Sequence, residues 1–266
     1  MRLGLSSGLA YGGFVPSSIN LLDFSPAAAY SLRSFDPTAD PYVVNVRRSS
    51  DNATSGFKGS QITDGTLAAW VGSGNDGFIA NWYDQAGNNR HASQTTAASQ
   101  PKIVSSGTVL TEGSKPCVEF DGSNDYMFTA FSLADVYSQF VVAKFNAAND
   151  FIIDGRNTNS ASLFTQGGTS TRHLSSSSLS INTASGNRYL YVASLNATEH
   201  FFKVNDGTAA TGAGGTSDLG GVTIGAAPPP SLYLDGNIQE IVIYDTEQSA
   251  NRTIIEGDIN TYYSIY

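Results

Sequence analysis

The chain is poor in the residues that do rare chemistry: its 266 positions hold one cysteine, three histidines and two tryptophans. A single thiol excludes an intrachain disulfide framework. The strand-like run KPCVEF around Cys117 reads as a small buried hydrophobe rather than a nucleophile. Charge is scarce as well, at 14% of residues against about 25% in an average domain. With 14 basic and 23 acidic side chains the net charge is -9, and Arg47 with Arg48 is the only adjacent basic pair. Such a scatter does not neutralise a run of phosphates, so neither nucleic acid nor an anionic bilayer is expected as a partner. No window comes near the roughly 18 uninterrupted apolar residues of a membrane-spanning helix. In the opening MRLGLSSGLAYGGFVPSS, Gly4, Ser6, Ser7 and Gly8 break any secretory apolar stretch, so no leader is expected there. Residues 1–20 read instead as a Gly- and Ser-rich anchoring arm, with one domain over 21–266.

What the chain has in quantity is turn chemistry. Glycine occurs 27 times, and beyond residue 100 short apolar runs alternate with Gly, Asn, Asp and Ser turns. The expected strands are CVEFDG, YMFTAF, SQFVVAKF, FIIDG, SLFTQ, RYLYVASLN, EHFFKVND, GVTIGA, LYLDG and NIQEIVIYD. That spacing predicts an antiparallel sandwich or barrel. Asp-Gly at Asp121, Asp154, Asp206 and Asp235 ends an apolar run each time and predicts tight hairpin turns. The Ser-rich RHLSSSSLSINT lacks the G-x-S-x-G elbow of a hydrolase nucleophile, so it and His173 are assigned to a surface edge or loop.

The first third is mixed. FSPAAAYSLRSF reads as helical or irregular, YVVNVRRSS as a strand, TLAAWV as a brief helix capped by Thr63 or Asp64, and FIANWYD as a strand with alternating faces. At the other end, Asp245 or Thr246 caps a helix whose apolar face is Ile255, Ile259 and Tyr262. Asp84 closes a strand ahead of Ala86, Gly87, Asn88 and Asn89, where a carboxylate accepts backbone N–H groups two residues on and holds a turn. His91 is read as a surface or loop-packing histidine, with ligand contact as the alternative for both residues.

VEFDGSNDYM, the strands after it, YLDGNIQEIVIYDTEQS and a closing helix resemble the concanavalin A-like lectin/glucanase (laminin-G-like) jelly roll over about residues 115–263. Upstream, AAAYSLRSF, YVVNVRRSSDNATSGF and NWYDQAGNNRHASQ resemble the catalytic domain of the arabinofuranosidase B enzymes, which share that jelly roll. The resemblance implies a mainly β fold, a concanavalin A-like antiparallel β-sandwich with a short C-terminal helix. It also implies two catalytic carboxylates, a glutamate after the strand matching FIIDGRNTNS and an aspartate after the strand matching GVTIG. Here Asn157, Thr158 and Asn159 stand at the first place and Ala226, Ala227, Pro228 and Pro229 at the second. A retaining glycosidase needs two carboxyl groups roughly 5 to 5.5 Å apart. No catalytic residue is therefore assigned, and the chain is not expected to be an enzyme.

Ligand contact is assigned to Asp84, His91, Asp154, Arg156, Tyr233 and Asp235, with Trp70, Trp82, Tyr126 and Tyr189 as further aromatic candidates for stacking on sugars. Both tryptophans sit in apolar runs and read better as core. No metal site is assigned; calcium is the one cofactor that the oxygen-rich FDGSNDY loop, with Asp121 and Asp125, would admit. The functional expectation is a virion surface protein (a head fibre, capsid decoration or tail-fibre module of a bacteriophage). It would join other virion proteins through the arm, form a homo-oligomer and hold host surface glycans. The alternatives are an arabinofuranosidase-like glycoside hydrolase and a secreted polysaccharide-binding module.

Overall fold

A computed structural model of the protein describes residues 20–133, 136–156, 161–216 and 218–266. The expected arm therefore lies outside the described residues except for Asn20, and so do Asn157, Thr158 and Asn159.

A 3-10 turn at Leu21–Phe24 leads into β1 (Ala28–Ser31), β2 (Tyr42–Arg48) and β3 (Thr54–Lys58). Two short helices follow, α1 (Gly59–Thr63) and α2 (Thr66–Val71), then β4 (Gly77–Trp82), β5 (Ala92–Ser93), β6 (Lys102–Ser105) and β7 (Thr108–Val109). A separate hairpin of β8 (Thr111–Glu112) and β9 (Lys115–Pro116) precedes β10 (Val118–Asp121), β11 (Met127–Thr129), β12 (Tyr137–Phe145) and β13 (Phe151–Gly155). Next come β14 (Ser162–Gln166), β15 (Ser170–Leu174), β16 (Ser178–Asn182), β17 (Arg188–Leu195), β18 (Glu199–Val204) and β19 (Ala210–Ala213). The chain closes with β20 (Val222–Ile224), β21 (Asp235–Tyr244) and α3 (Arg252–Tyr263).

These strands pair antiparallel in two layers. In one, β1 and β10 share one edge of β21, and β12, β17, β18 and β19 follow on the other. The second runs β3, β2, β4, β5, β11, β20, β13, β14, β15, β16. Alternate residues of β12 and β21 point two ways, as strand pleating requires. Val141, Ala143, Phe145, Ile241 and Ile243 enter the large core between the layers. Phe140, Val142, Val242 and Tyr244 enter a second cluster, where Ile255, Ile259 and Tyr263 of α3 cover them. The sequence-expected sandwich with its terminal helix is the fold found. Cys117 is buried in it, and burial pushes its thiol up to about 12.

Several local expectations are corrected. AAYS is β1, not helix: all four residues are buried against β21, and that pairing overrides the helix preference of the alanines. In β4 the alternation breaks at a bulge opposite Asn45 and Val46, so Ile79 and Trp82 both face the core. The Ser-rich run forms the hairpin β15–β16, and His173 is completely buried because Thr171 and His173 point inward. Asp154-Gly155 lies inside β13 and Asp235-Gly236 opens β21, so neither is a hairpin turn. α3 starts at Arg252, after Asn251, because the Gln248 amide upstream is held by the Ser138 hydroxyl at 2.9 Å. Tyr263, rather than Tyr262, completes its buried face.

Candidate functional site

The layer ending in β16 has an inner face in the core and an outer face that α3 does not reach. On β11, Met127 is buried while Phe128 is 37% exposed. In register, Phe128 lies opposite Thr223 of β20, and Thr223 opposite Asp154 of β13. Their sequence neighbours Met127, Ile224 and Ile153 are core residues, so this row points away from the core, with Phe128 exposed while Thr223 and Asp154 are covered. Ser162 of β14 extends it, its hydroxyl donating to Asp154 Oδ1.

Asp154 is the chemical centre of the row. Burial raises its carboxyl to about 7, opposed by the Ser162 hydrogen bond and the Gly155 backbone. Such a group carries a proton near neutrality and can donate as well as accept. Thr223 Oγ1 beside it is buried and has no partner among the described residues. The Arg156 guanidinium lies 4.8 Å over the Phe128 ring, a cation–π contact. Gly221, at a φ of +117°, makes room for this: a side chain there would run into the Thr129 carbonyl and the Arg156 stem. The Tyr126 ring stacks near Phe128 with centroids 6.3 Å apart, and Tyr233 is 6.4 Å beyond Tyr126. The Tyr233 hydroxyl donates to the Pro230 carbonyl at 3.0 Å, which ties this ring to the proline loop.

The six expected contact residues separate into three groups. Asp154, Arg156 and Tyr233 are linked to one aromatic strip. Asp84 is a brace: Oδ1 accepts the amides of Ala29 and Ala86 at 2.9 Å, and Oδ2 those of Asn88 and Arg90 at 3.2 Å. His91 supports it, its Nδ1 accepting the Asp84 amide at 3.0 Å and its ring meeting Tyr83 edge-on. Asp235 is held at the mouth of β21, its carboxylate accepting Asn146 Nδ2 at 3.0 Å while its own amide donates to Asp150 Oδ2 at 3.1 Å. Phe128, Thr223 and Ser162 escaped the sequence reading. The alternation in YMFTAF would have paired Tyr126 with Phe128, but nothing local announces Thr223.

Of the other aromatics, Trp82 is core, Trp70 packs edge-on against Phe57, and the Tyr189 hydroxyl bonds the Ala184 backbone. At the expected calcium loop, Asp121 Oδ1 accepts the amides of Ser123 and Asn124, and Asp125 Oδ2 accepts that of Asp121 at 3.3 Å. Burial, and then the charge of Asp121, raise Asp125 to about 7. Among the described residues no group of three or more His, Cys, Asp or Glu could hold a metal ion, and no helix is long and apolar enough to cross a membrane.

No protein-family model and no curated protein matches the sequence. Among solved structures, a GH54 α-L-arabinofuranosidase soaked with a cyclic sulfate inhibitor has a TM-score of 0.69 at 13% identity, covering 88% of this chain and 62% of that one. An arabinofuranosidase complexed with arabinofuranosyl-α-1,2-xylobiose gives 0.68 with the same identity and coverage. A sialidase of Trypanosoma rangeli in complex with sialic acid gives 0.46 at 11% identity, covering 69% of this chain and 31% of that one. The chain spans about three-fifths of the arabinofuranosidase chains it matches (62%). At such identity the likeness is one of fold alone, an antiparallel β-sandwich.

Proposed function

We propose that this chain is a non-enzymatic glycan-holding module whose contact surface is the open sheet face around Asp154. The carrying observation is the exposed Phe128 ring with Arg156 laid over it and the half-buried rings of Tyr126 and Tyr233 beside it, at the end of a row whose other members, Thr223, Asp154 and Ser162, are buried polar groups. Exposed rings stack on the apolar faces of sugars, and fixed polar groups between them select hydroxyls. Holding rather than cleaving is supported by the isolation of Asp154. A retaining pair would couple two charges, each shifting the other, whereas the causes that move Asp154 are burial, Ser162 and the Gly155 backbone. The residues that follow β13 and β20 in sequence, Asn157 to Asn159 and Ala226 to Pro229, include no carboxylate.

The setting we propose is a virion surface, such as a head fibre, capsid decoration or tail-fibre module, with residues 1–20 joining other virion proteins and several copies adding avidity. Its support is compositional: a Gly- and Ser-rich arm and a chain without a cysteine pair. Deleting residues 2–18 is expected to leave a folded domain that no longer joins the particle; unchanged incorporation overturns the anchor. The arabinofuranosidase-like reading is favoured by the fold likeness alone. An assay with 4-nitrophenyl α-L-arabinofuranoside decides between them: no turnover is expected, and turnover abolished by Asp154→Asn overturns the proposal. A secreted polysaccharide-binding module would share the glycan contact, and carbohydrate genes beside this one, rather than capsid and portal genes, would mark it.

A further inference from the structure

The outer face continues past the buried Asp154. Across β13, β14 and β15, Phe151 lies opposite Phe164 and Phe164 opposite Arg172. The two phenylalanine rings stack at 4.9 Å and 11°, a second aromatic platform on the far side of Asp154 from Phe128. Arg172 points to the same side, because its neighbours Thr171 and His173 are wholly buried. From β11 to β15 the face spans four strand spacings, about 19 Å, which is the reach of an oligosaccharide rather than a single sugar.

Its charge is of one sign, because the segment that builds it beyond Asp154 is free of acidic residues. Arg33, Arg48, Lys102, Lys144, Lys203 and Arg252 pair with carboxylates, whereas Arg47 and Arg90 are held by amide and backbone oxygens. Neither Arg156 nor Arg172 has such a partner among the described residues, and Arg172 Nε is a buried donor with no acceptor. Between Asp154 and Glu199 the chain contains no acidic residue and three arginines, Arg156, Arg172 and Arg188, within a protein of net charge -9. Arg188 is spent on the Glu112, Tyr263 and Ser264 carbonyls and on Gln239. The outward positions of β14, β15 and β16 are Ser162, Phe164, Gln166, Ser170, Arg172, Leu174, Ser178, Ser180 and Asn182, all uncharged but Arg172.

We infer that the ligand is an anionic polysaccharide lying across β11 to β15, with sugar rings on the Phe128 and Phe151/Phe164 platforms and acidic groups on Arg156 and Arg172. This rests on the glycan-holding reading and adds the ligand's charge and length. Arginine suits the task because its planar fork meets carboxylate or sulfate with two hydrogen bonds. Asp154 does not repel such a chain while burial keeps it protonated up to about 7.

The test is calorimetry of the full chain with polygalacturonate, dextran sulfate, neutral dextran and duplex DNA, repeated with Arg156→Gln and Arg172→Gln, each variant first shown to melt like the parent. One or both anionic polysaccharides are expected to bind more tightly than dextran, more weakly at high salt, and about tenfold more weakly in each variant, the loss of a charge-assisted hydrogen bond. The two acidic polymers tell a carboxylate from a sulfate ligand. Equal binding of dextran, indifferent to both substitutions, overturns this inference and leaves glycan holding in place. Equal binding of DNA overturns it as unspecific charge attraction. Binding of no polysaccharide overturns both.

Discussion

The two outer faces of the sandwich are built from similar strands and meet opposite fates. On the β21 layer, Phe140, Val142, Val242 and Tyr244 are sealed beneath Ile255, Ile259 and Tyr263 of α3. The seal includes ions: Glu240, wholly buried, accepts Arg33 Nε at 2.8 Å and hydroxyl bonds from Ser31 and Tyr263, while Arg33 also reaches Asp258 at 2.7 Å. On the β13 layer, Phe128 and Arg156 are exposed, Tyr126, Phe151, Phe164 and Arg172 are half-buried, and the buried Asp154 carboxyl near them has no ion partner among the described residues. The difference teaches where this chain spends its polar groups. The covered face pairs its central ions internally, although Glu256 Oε1 is left without a hydrogen bond, and the other face holds Arg172 Nε and Thr223 Oγ1 without partners among the described residues.

The comparison can be broken most severely at Glu240. Glu240→Gln takes from Arg33 the wholly buried one of its two carboxylates, leaving Asp258, and removes the charged acceptor of Ser31 and Tyr263; it is expected to cost about 3 kcal/mol, measured by urea denaturation, and a loss below about 1 kcal/mol would mean that the face is less closed than its geometry says. Ile259→Ala, which empties the same seal, is expected to cost about 2–4 kcal/mol. On the open face the effects turn on pH. Asp154 is raised from 3.8 to about 7, so the folded state binds more protons than the unfolded one between those values. Its stabilising contribution is complete below about 4 and is lost as pH rises through about 7. Asp154→Asn removes that slope, and melting temperatures at pH 4, 5.5 and 7.5 are expected to show the variant gaining on the parent as pH rises. The buried pair His173 and His200, joined Nδ1 to Nε2, tilts the other way. Burial, and for His173 then the neighbouring ring, lowers both, His200 to about 4, so stability present above about 6.5 falls as pH drops toward 4 in parent and variant alike. The smallest effect on stability belongs to Phe128→Ala, within about 0.5 kcal/mol for a surface position, yet it is expected to weaken glycan binding about tenfold. Unchanged binding would move the contact surface elsewhere.

How much of this was legible follows from whether the deciding contacts are local. β12, β17 and β21 announced themselves through long apolar runs buried on both sides, and Asp84 through its turn, since the Ala86 amide lies two residues on. The Ala29 amide that shares Asp84 Oδ1 lies 55 positions upstream, which no spacing rule reaches. β1 was misread because alanine favours helices and its strand character comes from β21. The Ser-rich run was read as a surface edge or loop, and β16 is the edge strand of its layer, but the burial of His173 was missed because serines on the outward positions hide the inward alternation of Thr171, His173, Leu179 and Ile181. At the candidate site, Asp154 and Arg156 were visible as residues, but their neighbours Phe128 and Thr223 arrive through the register of β11, β20 and β13.

The lone cysteine carries a practical consequence. Cys117 is only 3% exposed, and its thiol is held up to about 12, so a thiol-specific dye added at neutral pH reacts when the corner between β9 and β10 opens and hardly before. The natural chain thus contains its own single-site clock, whose labelling rate reports how often that corner breathes and whether added ligands slow it.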